Sequence, residues 1–337
     1  MKMTMKNKLR AAVIGCGAVA GQHLYSIADM ADAELVAVCD IKEERAKKAS
    51  ELGENVAVYT DWEKMIREAD IDVCHICTPH YLHVPMAVEC LRRGINVLTE
   101  KPCADNVENG EKLLREAEKS TAQCGVCFQN RYNLTSRVLK QKLDSGEYGK
   151  ILGARAFVTW HREDGYYTES GWRGKIATEG GGVMMNQAIH TLDLVRWLLG
   201  DVEQVQGKVA SHWFGHINDT EDTAEIAIRF KSGARGIVFA TVGYVTDSPV
   251  FIEIVTEKAV FTLCDTLTVK GCDGQTEVFR NLPGKVGAKA YWGTCHEELI
   301  QDFYRCVEQN KPFPIPVREA MKSLRMIDQL YTSSRKE

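Results

Sequence analysis

Short apolar runs alternate with helical segments across the first 130 residues, and this alternation constrains the fold more than any other feature. The runs have strand length, whereas the segments between most of them carry apolar residues at helical spacing. Because parallel strands are buried on both faces by crossover helices, the pattern predicts a parallel sheet covered on both sides. The predicted strands are Arg10–Ile14, Glu34–Cys39, Val56–Tyr59, Val73–Ile76, Asn96–Leu98 and Cys124–Phe128, and the predicted helices are Val19–Asp29, Glu43–Leu52, Tyr81–Arg93 and Val107–Ser120.

A different pattern begins after about Lys150. Longer stretches of alternating apolar and polar residues follow, separated by turn residues, and they predict an antiparallel sheet. A chain of 337 residues also exceeds what one hydrophobic core usually carries. We therefore expect two domains, residues 1–130 and residues 131–337, with the final helix as a candidate to pack back on the first. The predicted strands are Ala224–Phe230, Arg235–Val242, Val250–Val255 and Ala259–Leu263, and the predicted helices are Val183–Leu199, Thr294–Gln309 and Arg318–Ser333.

Composition excludes several classes of protein. Hydrophobic residues make up 45% and charged residues 26% of the chain, as in ordinary globular domains. The net charge of −4 argues against a nucleic-acid partner. No apolar run approaches the roughly 20 residues that cross a bilayer, so we expect no membrane association. Gly15 and Gly17 interrupt the apolar stretch after the basic N-terminus, which argues against a signal peptide and favours a cytoplasmic location.

The twelve cysteines include two C-x-x-C pairs, Cys74–Cys77 and Cys124–Cys127. Each pair lies in a predicted strand, where residues three apart point to opposite faces, so neither resembles a zinc knuckle. His75, His80 and His83 lack a carboxylate at ligand spacing. We expect buried, reduced thiols and no metal site.

A glycine-rich turn, Gly15-Cys16-Gly17-Ala18-Val19-Ala20, follows the first strand and opens a helix. In this spacing Gly15 permits a tight turn, Gly17 lets the backbone approach a pyrophosphate, and Ala20 keeps helix and strand close. The first N–H groups of the helix, from Ala18 and Val19 onward, then face phosphate oxygens. The turn predicts a dinucleotide site.

Asp40 ends the second predicted strand, where a carboxylate can accept hydrogen bonds from ribose hydroxyls. It would repel the 2′-phosphate of NADP, and the sequence therefore favours NAD. Lys42 and Arg45 are close enough in sequence to keep NADP open as the less favoured cofactor.

Lys101 lies in Thr99-Glu100-Lys101-Pro102, immediately after a predicted strand. Ligands collect outside the carboxyl ends of strands in open α/β sheets. An ammonium group there can donate a hydrogen bond to a substrate hydroxyl and stabilise the alkoxide as a hydride leaves. The fragment alone is equally compatible with an exposed lysine in a strand–helix loop.

His190 lies in a predicted apolar helix that follows Gly180-Gly181-Gly182. Asn186 is four residues earlier and shares its helical face, and Asp193 lies near the same side. A polar stripe of this kind is costly to bury without partners, so we interpret His190 as a candidate general acid or base. A hydrogen-bonded core histidine is the alternative.

These motifs occur in one order along nearly the whole chain. Together they resemble the glucose–fructose oxidoreductase, inositol dehydrogenase and rhizopine-catabolism family (Gfo/Idh/MocA). The segments that carry the resemblance are Gly15–Ala20, Cys77–His83, Glu100–Pro102, Phe128–Asn133, Trp172–Gly174 and Gly180–His190.

The resemblance implies an α/β Rossmann domain with a doubly wound parallel sheet. It also implies a C-terminal α+β domain with a large, mostly antiparallel open sheet that commonly forms the interface of a homodimer or homotetramer. The implied reaction moves a hydride between nicotinamide and a secondary alcohol of a sugar, cyclitol or sugar nucleotide. Lys101 would polarise the substrate oxygen, and His190 would exchange its proton.

Other residues receive their roles from the resemblance in the same way. Those implied to bind the cofactor are Gly15, Gly17, Ala18, Val19, Ala20, Asp40, Thr78, Pro79, His83, Glu100, Lys101, Gln129, Trp172 and Arg173. Those implied to bind the substrate are Arg131, Trp172, Asn186 and Asp193.

Asn186 departs from the family pattern, in which many members have Asp four residues before the histidine. A neutral amide cannot stabilise an imidazolium as a carboxylate can, so His190 should be less basic than in those members. Asn at this position, together with the Phe-Gln-Asn-Arg-Tyr-Asn string at residues 128–133, resembles members that oxidise C3 of nucleotide-linked amino sugars or their uronates.

Two alternatives remain open. One is a non-catalytic regulatory protein of the same fold that senses NAD(P). The other is a sugar or ketone reductase that uses NADPH.

Overall fold

A computed structural model describes residues 8–281 and 295–335. Within these ranges the chain forms two compact units. The first unit contains residues 8–104, 108–127 and 296–320. The second contains residues 105–107, 128–281, 295 and 321–335. Several segments of the chain thus contribute to each unit. The expected boundary between residues 130 and 131 stays a prediction.

The sheet of the first unit is parallel. Its strands are β1 (Leu9–Ile14), β2 (Ala33–Cys39), β3 (Ala57–Tyr59), β4 (Val73–Ile76), β5 (Asn96–Thr99) and β6 (Cys124–Val126). Their order is β3-β2-β1-β4-β5-β6, and every neighbouring pair is parallel. The strand order reverses between β1 and β4, and ligands bind beyond the carboxyl ends of strands at such a point. The α/β Rossmann prediction is confirmed.

Helices α1 (Ala20–Asp29), α2 (Glu43–Ser50), α3 (Trp62–Glu68), α4 (His80–Arg92) and α5 (Val107–Lys119) lie between these strands in the chain. The sequence did not predict α3, whose seven residues are too few for a clear periodicity. Asp61 is nevertheless a residue type that is preferred at helix N-caps. In the structure its carboxylate accepts hydrogen bonds from the N–H groups of Glu63 and Lys64.

The second unit contains an eight-stranded sheet with the order β14-β13-β12-β11-β7-β10-β9-β8. Among its described strands only β7 and β10 pair in parallel, which confirms the mostly antiparallel prediction. Burial alternates along several strands, as expected where one face packs on a core. The strands are β7 (Ile151–Thr159), β8 (Val202–Ala210), β9 (Thr223–Phe230), β10 (Arg235–Thr241), β11 (Phe251–Thr256), β12 (Ala259–Cys264), β13 (Thr266–Gly271) and β14 (Thr276–Arg280).

The remaining helices are α6 (Leu134–Asp144), α7 (Asp164–Thr168), α8 (Ile176–Glu179), α9 (Val183–Asn186), α10 (Ile189–Leu199), α11 (His296–Glu308) and α12 (Val317–Ser334). The predicted start of α11 at Thr294 lies outside the described residues. None of the helices in the described ranges has both the length and the apolar character needed to span a bilayer.

The prediction of one continuous helix over Val183–Leu199 is wrong. The carbonyl oxygen of Val183 accepts from the N–H of Gln187 at 3.0 Å and from the N–H of Ala188 at 2.8 Å. The second bond spans five residues and places an extra residue in the turn, so α9 ends before α10 begins. Asn186 ends α9 and His190 lies in the first turn of α10, so the four-residue spacing of one regular helix does not relate them, and their common face stays a prediction.

Candidate functional site

The glycine-rich turn connects β1 to α1, and glycine stands at its positions 15 and 17 for different physical reasons. Gly15 has a φ of +87°, and a Cβ atom there would lie 2.6 Å from the carbonyl oxygen of Cys77. A Cβ atom on Gly17 would meet no atom of the described residues within 4 Å. Packing of the protein thus requires glycine at position 15, whereas the open side of Gly17 leaves room for a ligand to approach the backbone.

Ala18, Val19 and Ala20 form the start of α1. Ala18 is exposed, Val19 is the N-cap residue, and Ala20 is fully buried. Among the described residues no side chain caps this end, and the first turn contains no acidic residue. The first N–H groups of a helix lack partners within it and carry partial positive charge. This end of α1 therefore suits a phosphate group.

Asp40 holds the turn from the end of β2. Its Oδ2 accepts from the N–H of Cys16 at 2.8 Å, and its Oδ1 accepts from the N–H of Lys42 at 2.8 Å. Each carboxylate oxygen can accept a second hydrogen bond. The side chain can therefore stabilise the turn and accept from ribose hydroxyls at the same time.

His83 is fully buried in α4, and each of its ring nitrogens faces a backbone carbonyl. Nδ1 lies 2.8 Å from the oxygen of Pro102, and Nε2 lies 2.8 Å from the oxygen of Thr78. A neutral imidazole donates from one nitrogen, so both hydrogen bonds form together only in the protonated ring. Burial lowers the pKa of His83, and the two carbonyls act in the opposite direction. The ring connects the Thr78–Pro79 turn to the loop after β5, and its contact with the cofactor stays a prediction.

Glu100 follows β5 and is 5% exposed. Its Oε1 lies 3.1 Å from Nε2 of His23 and 3.5 Å from Nε2 of His296, and its Oε2 accepts from the N–H of Lys101 at 3.2 Å. Burial acts to raise the pKa of Glu100, but hydrogen bonds from the two histidines hold it well below its usual range. The carboxylate is thus a buried anion that fixes the backbone beside Lys101, whose own side chain is partly exposed.

His23 and His75 extend this arrangement into the core, which the sequence did not predict. Their Nδ1 atoms lie 2.8 Å apart, and Nε2 of His75 lies 2.9 Å from the hydroxyl of Tyr304. With neutral rings, His23 donates to Glu100 and accepts from His75, which in turn accepts from Tyr304. Burial lowers the pKa of His75 well below its usual value, which favours the neutral ring.

His23, Glu100 and Cys127 bring their ligand atoms within 4.8 Å of one another. Nitrogen, oxygen and sulfur ligands of this kind suit zinc. The imidazole and the carboxylate already bond to each other, and burial raises the pKa of the Cys127 thiol well above its usual value. All twelve cysteines carry free thiols. The absence of a metal site stays a prediction.

Arg131 and Asp193 form a buried ion pair in the second unit. Nε and Nη2 of Arg131 donate to the two carboxylate oxygens of Asp193, both at 2.6 Å. The hydroxyl of Ser323 donates to the same carboxylate at 2.8 Å. Gln129 is also buried, in the 3-10 helix that contains Arg131. These contacts give the ion pair a structural role, and substrate binding by Arg131 or Asp193 stays a prediction.

Tyr166 brings together three of the predicted residues. The guanidinium of Arg173 lies 4.4 Å from the centre of the Tyr166 ring and 4.9 Å from that of Trp172. Asn186 donates to the Tyr166 hydroxyl at 3.2 Å and also to the carboxylate of Glu179. The sequence did not predict the contacts that Tyr166 and Glu179 make with Asn186, because both residues lie in short helices without clear periodicity.

His190 lies in the first turn of α10 and is 8% exposed. Its ring packs edge to face on Phe128, with centres 5.9 Å apart. The preceding glycines fit closely against the protein itself. A Cβ atom would lie 2.0 Å from the carbonyl oxygen of Asp105 at Gly180, and 1.8 Å from that of Glu221 at Gly182. These two glycines are thus required by packing, independently of any ligand.

Comparison with known proteins assigns both halves of the chain. Residues 9–128 match the family described as an oxidoreductase family with an NAD-binding Rossmann fold. Residues 136–262 match the C-terminal domain of the same GFO/IDH/MocA family.

Individual relatives agree with this assignment. A myo-inositol 2-dehydrogenase of Thermotoga maritima is 27% identical over 237 residues, which are 68% of this chain and 67% of that protein. A D-glucoside 3-dehydrogenase of Escherichia coli is 31% identical over 59% of this chain, and the match spans only 57% of that relative.

A solved structure of the WlbA dehydrogenase from Bordetella pertussis, in complex with NADH and UDP-GlcNAcA, has a TM-score of 0.84 and 26% identity. It covers 98% of this chain and 97% of that one. The resemblance that the motifs indicated is confirmed, and the chain belongs to the Gfo/Idh/MocA family of NAD-dependent oxidoreductases.

Proposed function

We propose that the protein transfers a hydride between C4 of the nicotinamide of NAD and a secondary alcohol carbon of a sugar, cyclitol or sugar nucleotide. The observation that carries this proposal is the joint presence of three features. They are the glycine turn held by Asp40, Lys101 fixed beside a buried glutamate at the carboxyl end of β5, and His190 after a closely packed glycine segment.

In the oxidation, the carbinol carbon gives up its hydride and its hydroxyl oxygen gives up a proton. The Lys101 ammonium donates a hydrogen bond to that oxygen and stabilises the negative charge that develops. His190 accepts the proton, which its imidazole can do near neutral pH. NAD, when bound, would accept the hydride, and Lys101 and His190 would serve the reverse reaction in the same roles.

The remaining roles are proposed as the family resemblance implies them. The NAD phosphates and riboses are assigned to Gly15, Gly17, Ala18, Val19, Ala20 and Asp40. The rest of the cofactor is assigned to Thr78, Pro79, His83, Glu100, Gln129, Trp172 and Arg173, and the substrate to Arg131, Trp172, Asn186 and Asp193.

The proposed substrate class follows the named relatives, which act on an inositol and a glucoside or bind a nucleotide sugar. We also propose a cytoplasmic location, in keeping with the free thiols. Assembly into a homodimer or homotetramer is supported by apolar side chains exposed on the second sheet, including Leu152, Ile237 and Val278.

A cofactor-reduction screen tests the proposal. Purified protein is mixed with NAD or NADP and with cyclitols, aldoses or nucleotide sugars, or with NADPH and the corresponding ketones, and absorbance of the reduced cofactor is followed. We expect reduction of NAD by at least one compound of these classes. Tight NAD binding without turnover of any of them would instead favour the regulatory alternative, and turnover only with NADPH and a ketone would favour the reductase.

Asp40→Asn is expected to weaken the preference for NAD over NADP. Hydrogen bonds to a charged group contribute about 1.5–3 kcal/mol each, so the ratio of kcat/KM for the two cofactors should fall by about 10–100-fold. Asparagine retains an acceptor oxygen for Cys16, which preserves the turn better than alanine would. The measurement is kcat/KM for NAD and NADP in both proteins. Equal or tighter binding of NADPH by the unsubstituted protein contradicts the role of Asp40.

A further inference from the structure

Glu179, at the end of α8, forms a hydrogen-bonded cluster with Gly174, Asn186 and Tyr166. Oε2 of Glu179 accepts from the N–H of Gly174 at 2.5 Å, and Oε1 accepts from Nδ2 of Asn186 at 2.5 Å. Nδ2 of Asn186 also donates to the hydroxyl of Tyr166 at 3.2 Å. Glu179 is only 1% exposed. A buried carboxylate thus contacts a residue that the proposed function assigns to the substrate.

Asn186 is the accessible member of its segment. Every other residue from 181 to 190 is buried, whereas Asn186 is half-buried. Both N–H groups of its amide are directed to Glu179 and Tyr166, so the carbonyl oxygen Oδ1 points to the opposite side. The contacts with Glu179 and Tyr166 therefore determine which end of the amide is presented away from the cluster.

The orientation of the amide depends on the protonation state of Glu179. An ionised carboxylate only accepts, so Nδ2 must face it. A protonated carboxyl can donate from Oε1, and Oδ1 is then the group that matches it after the amide turns over. The Tyr166 hydroxyl also accepts from Nε2 of Gln187 at 3.1 Å and retains a proton that it can donate to Oδ1, so it is compatible with either orientation. One proton on Glu179 can thus exchange an acceptor for a donor on the far side of Asn186.

The surroundings of Glu179 make both states accessible near neutral pH. Burial raises the pKa of Glu179 to about 7, against the opposing effects of Gly174, Asn186 and the Arg173 guanidinium. The charged and titratable groups that act on it or feel its charge come from several elements, and they are Arg173, Glu221, Tyr166, Tyr167 and Tyr331.

We propose that Glu179 is a positioning residue for the substrate, because its ionised carboxylate holds the Asn186 amide with the acceptor oxygen directed away from the cluster. The group recognised in that state is a donor, such as a hydroxyl of a polyol or sugar. Protonation of Glu179 presents the amide N–H groups instead and weakens recognition of that hydroxyl. This inference rests on the proposed function and specifies how its substrate is held.

The test exchanges the carboxylate and the amide. Three variants are compared with the unsubstituted enzyme: E179Q, N186D and E179Q/N186D. For the best substrate of the screen, KM and kcat are measured between pH 5.5 and 9. A matched control is E203Q, because Glu203 is an exposed carboxylate in the same unit that pairs with Arg229 on the sheet.

In the unsubstituted enzyme and in E203Q, we expect KM for the substrate to rise about 5–10-fold as pH falls from 8 to 6, the effect of about one hydrogen bond. In E179Q this change should disappear. N186D places two carboxylates in contact, and like charges cannot both ionise there. Its KM should therefore be raised at least tenfold at pH 8, and the double variant should recover most of that loss.

A merely structural role for Glu179 gives a different result. E179Q would then lower the melting temperature and the yield of active enzyme, but KM in the active fraction would keep its pH dependence and the double variant would not recover. The proposal is overturned if KM of E179Q keeps its pH dependence, or if the double variant does not recover the KM lost in N186D.

A second measurement needs no turnover and separates failure of this inference from failure of the proposed function. A carboxyl whose pKa is higher in the folded than in the unfolded state makes the protein less stable as pH rises between the two values. From pH 4.5 to about 7, the melting temperature should therefore fall relative to that of E179Q. If the difference in melting temperature between the two proteins stays constant over this pH range, the inference about Glu179 is overturned. If only the screen fails, because no compound is turned over, the proposed function is overturned instead.

Discussion

Replacement of Lys101 by alanine is expected to lower kcat by about 10³-fold while the protein still binds NAD. The proposed step leaves negative charge on the substrate oxygen, and the ammonium is the group assigned to stabilise it. Glu100 accepts a hydrogen bond from the backbone N–H of Lys101, and an alanine at this position keeps that N–H. The substitution should therefore leave the loop in place. The measurements are kcat with the best substrate of the screen and NAD affinity by titration calorimetry.

Lys112→Ala is a suitable control for this variant, because Lys112 lies on an exposed helical face where it pairs with Glu108. Its kcat should match that of the unsubstituted enzyme. Lys101→Arg retains positive charge but changes the geometry of the donor, and it should recover only part of the activity. Near-normal turnover by Lys101→Ala would remove Lys101 from the mechanism.

Arg131→Met is expected to lower the free energy of unfolding by about 3–5 kcal/mol. Asp193 is 1% exposed, and without the guanidinium its charge would remain buried with the hydroxyl of Ser323 as a much weaker partner. Arg131 also lies over the ring of Trp197, at 5.6 Å from its centre. Methionine keeps part of that packing, so the loss reports mainly on the unpaired carboxylate. Denaturant-induced unfolding measures it.

Two further variants isolate the buried charge. In Arg131→Met/Asp193→Leu both charges are absent, and most of the lost stability should return because apolar residues can replace a buried pair at little cost. Arg229→Met breaks the exposed pair with Glu203 and should cost less than about 1 kcal/mol. If Arg131→Met lowers the free energy of unfolding by less than about 1 kcal/mol, the Arg131–Asp193 pair contributes little to stability. That result would strengthen the proposed role of the pair in substrate binding.

Features with a local pattern could be predicted from the sequence. The parallel sheet followed from short apolar strands separated by helices, and the alternating strands of the second half indicated antiparallel pairing. The glycine turn, Asp40 and Lys101 were found because each follows a predicted strand, and parallel strands place their carboxyl ends on one edge. Strands such as β8 were missed because their apolar residues alternate too weakly to indicate burial.

Contacts between distant positions could not be predicted. His75 and Tyr304 are 229 positions apart, and no local pattern relates them. His75 could only be seen as a polar residue in an apolar strand, without its partners. The interruption after α9 was missed for another reason, since an added residue in a helical turn leaves no mark in apolar periodicity. As a result, the sequence placed Asn186 and His190 in one regular helix, whereas the structure places them in α9 and α10.

The position of β7 has a consequence for how the second unit is formed. This strand is first of its sheet in the chain, yet its neighbours β10 and β11 are among the later ones. During synthesis β7 therefore stays without its sheet neighbours until the four helices α7 to α10 and the β8–β9 pair have left the ribosome. Closing such long loops slows folding, and an apolar strand that waits is open to pairing with other chains. Production of the protein should consequently depend more on chaperones and low temperature than its content of simple hairpins would imply.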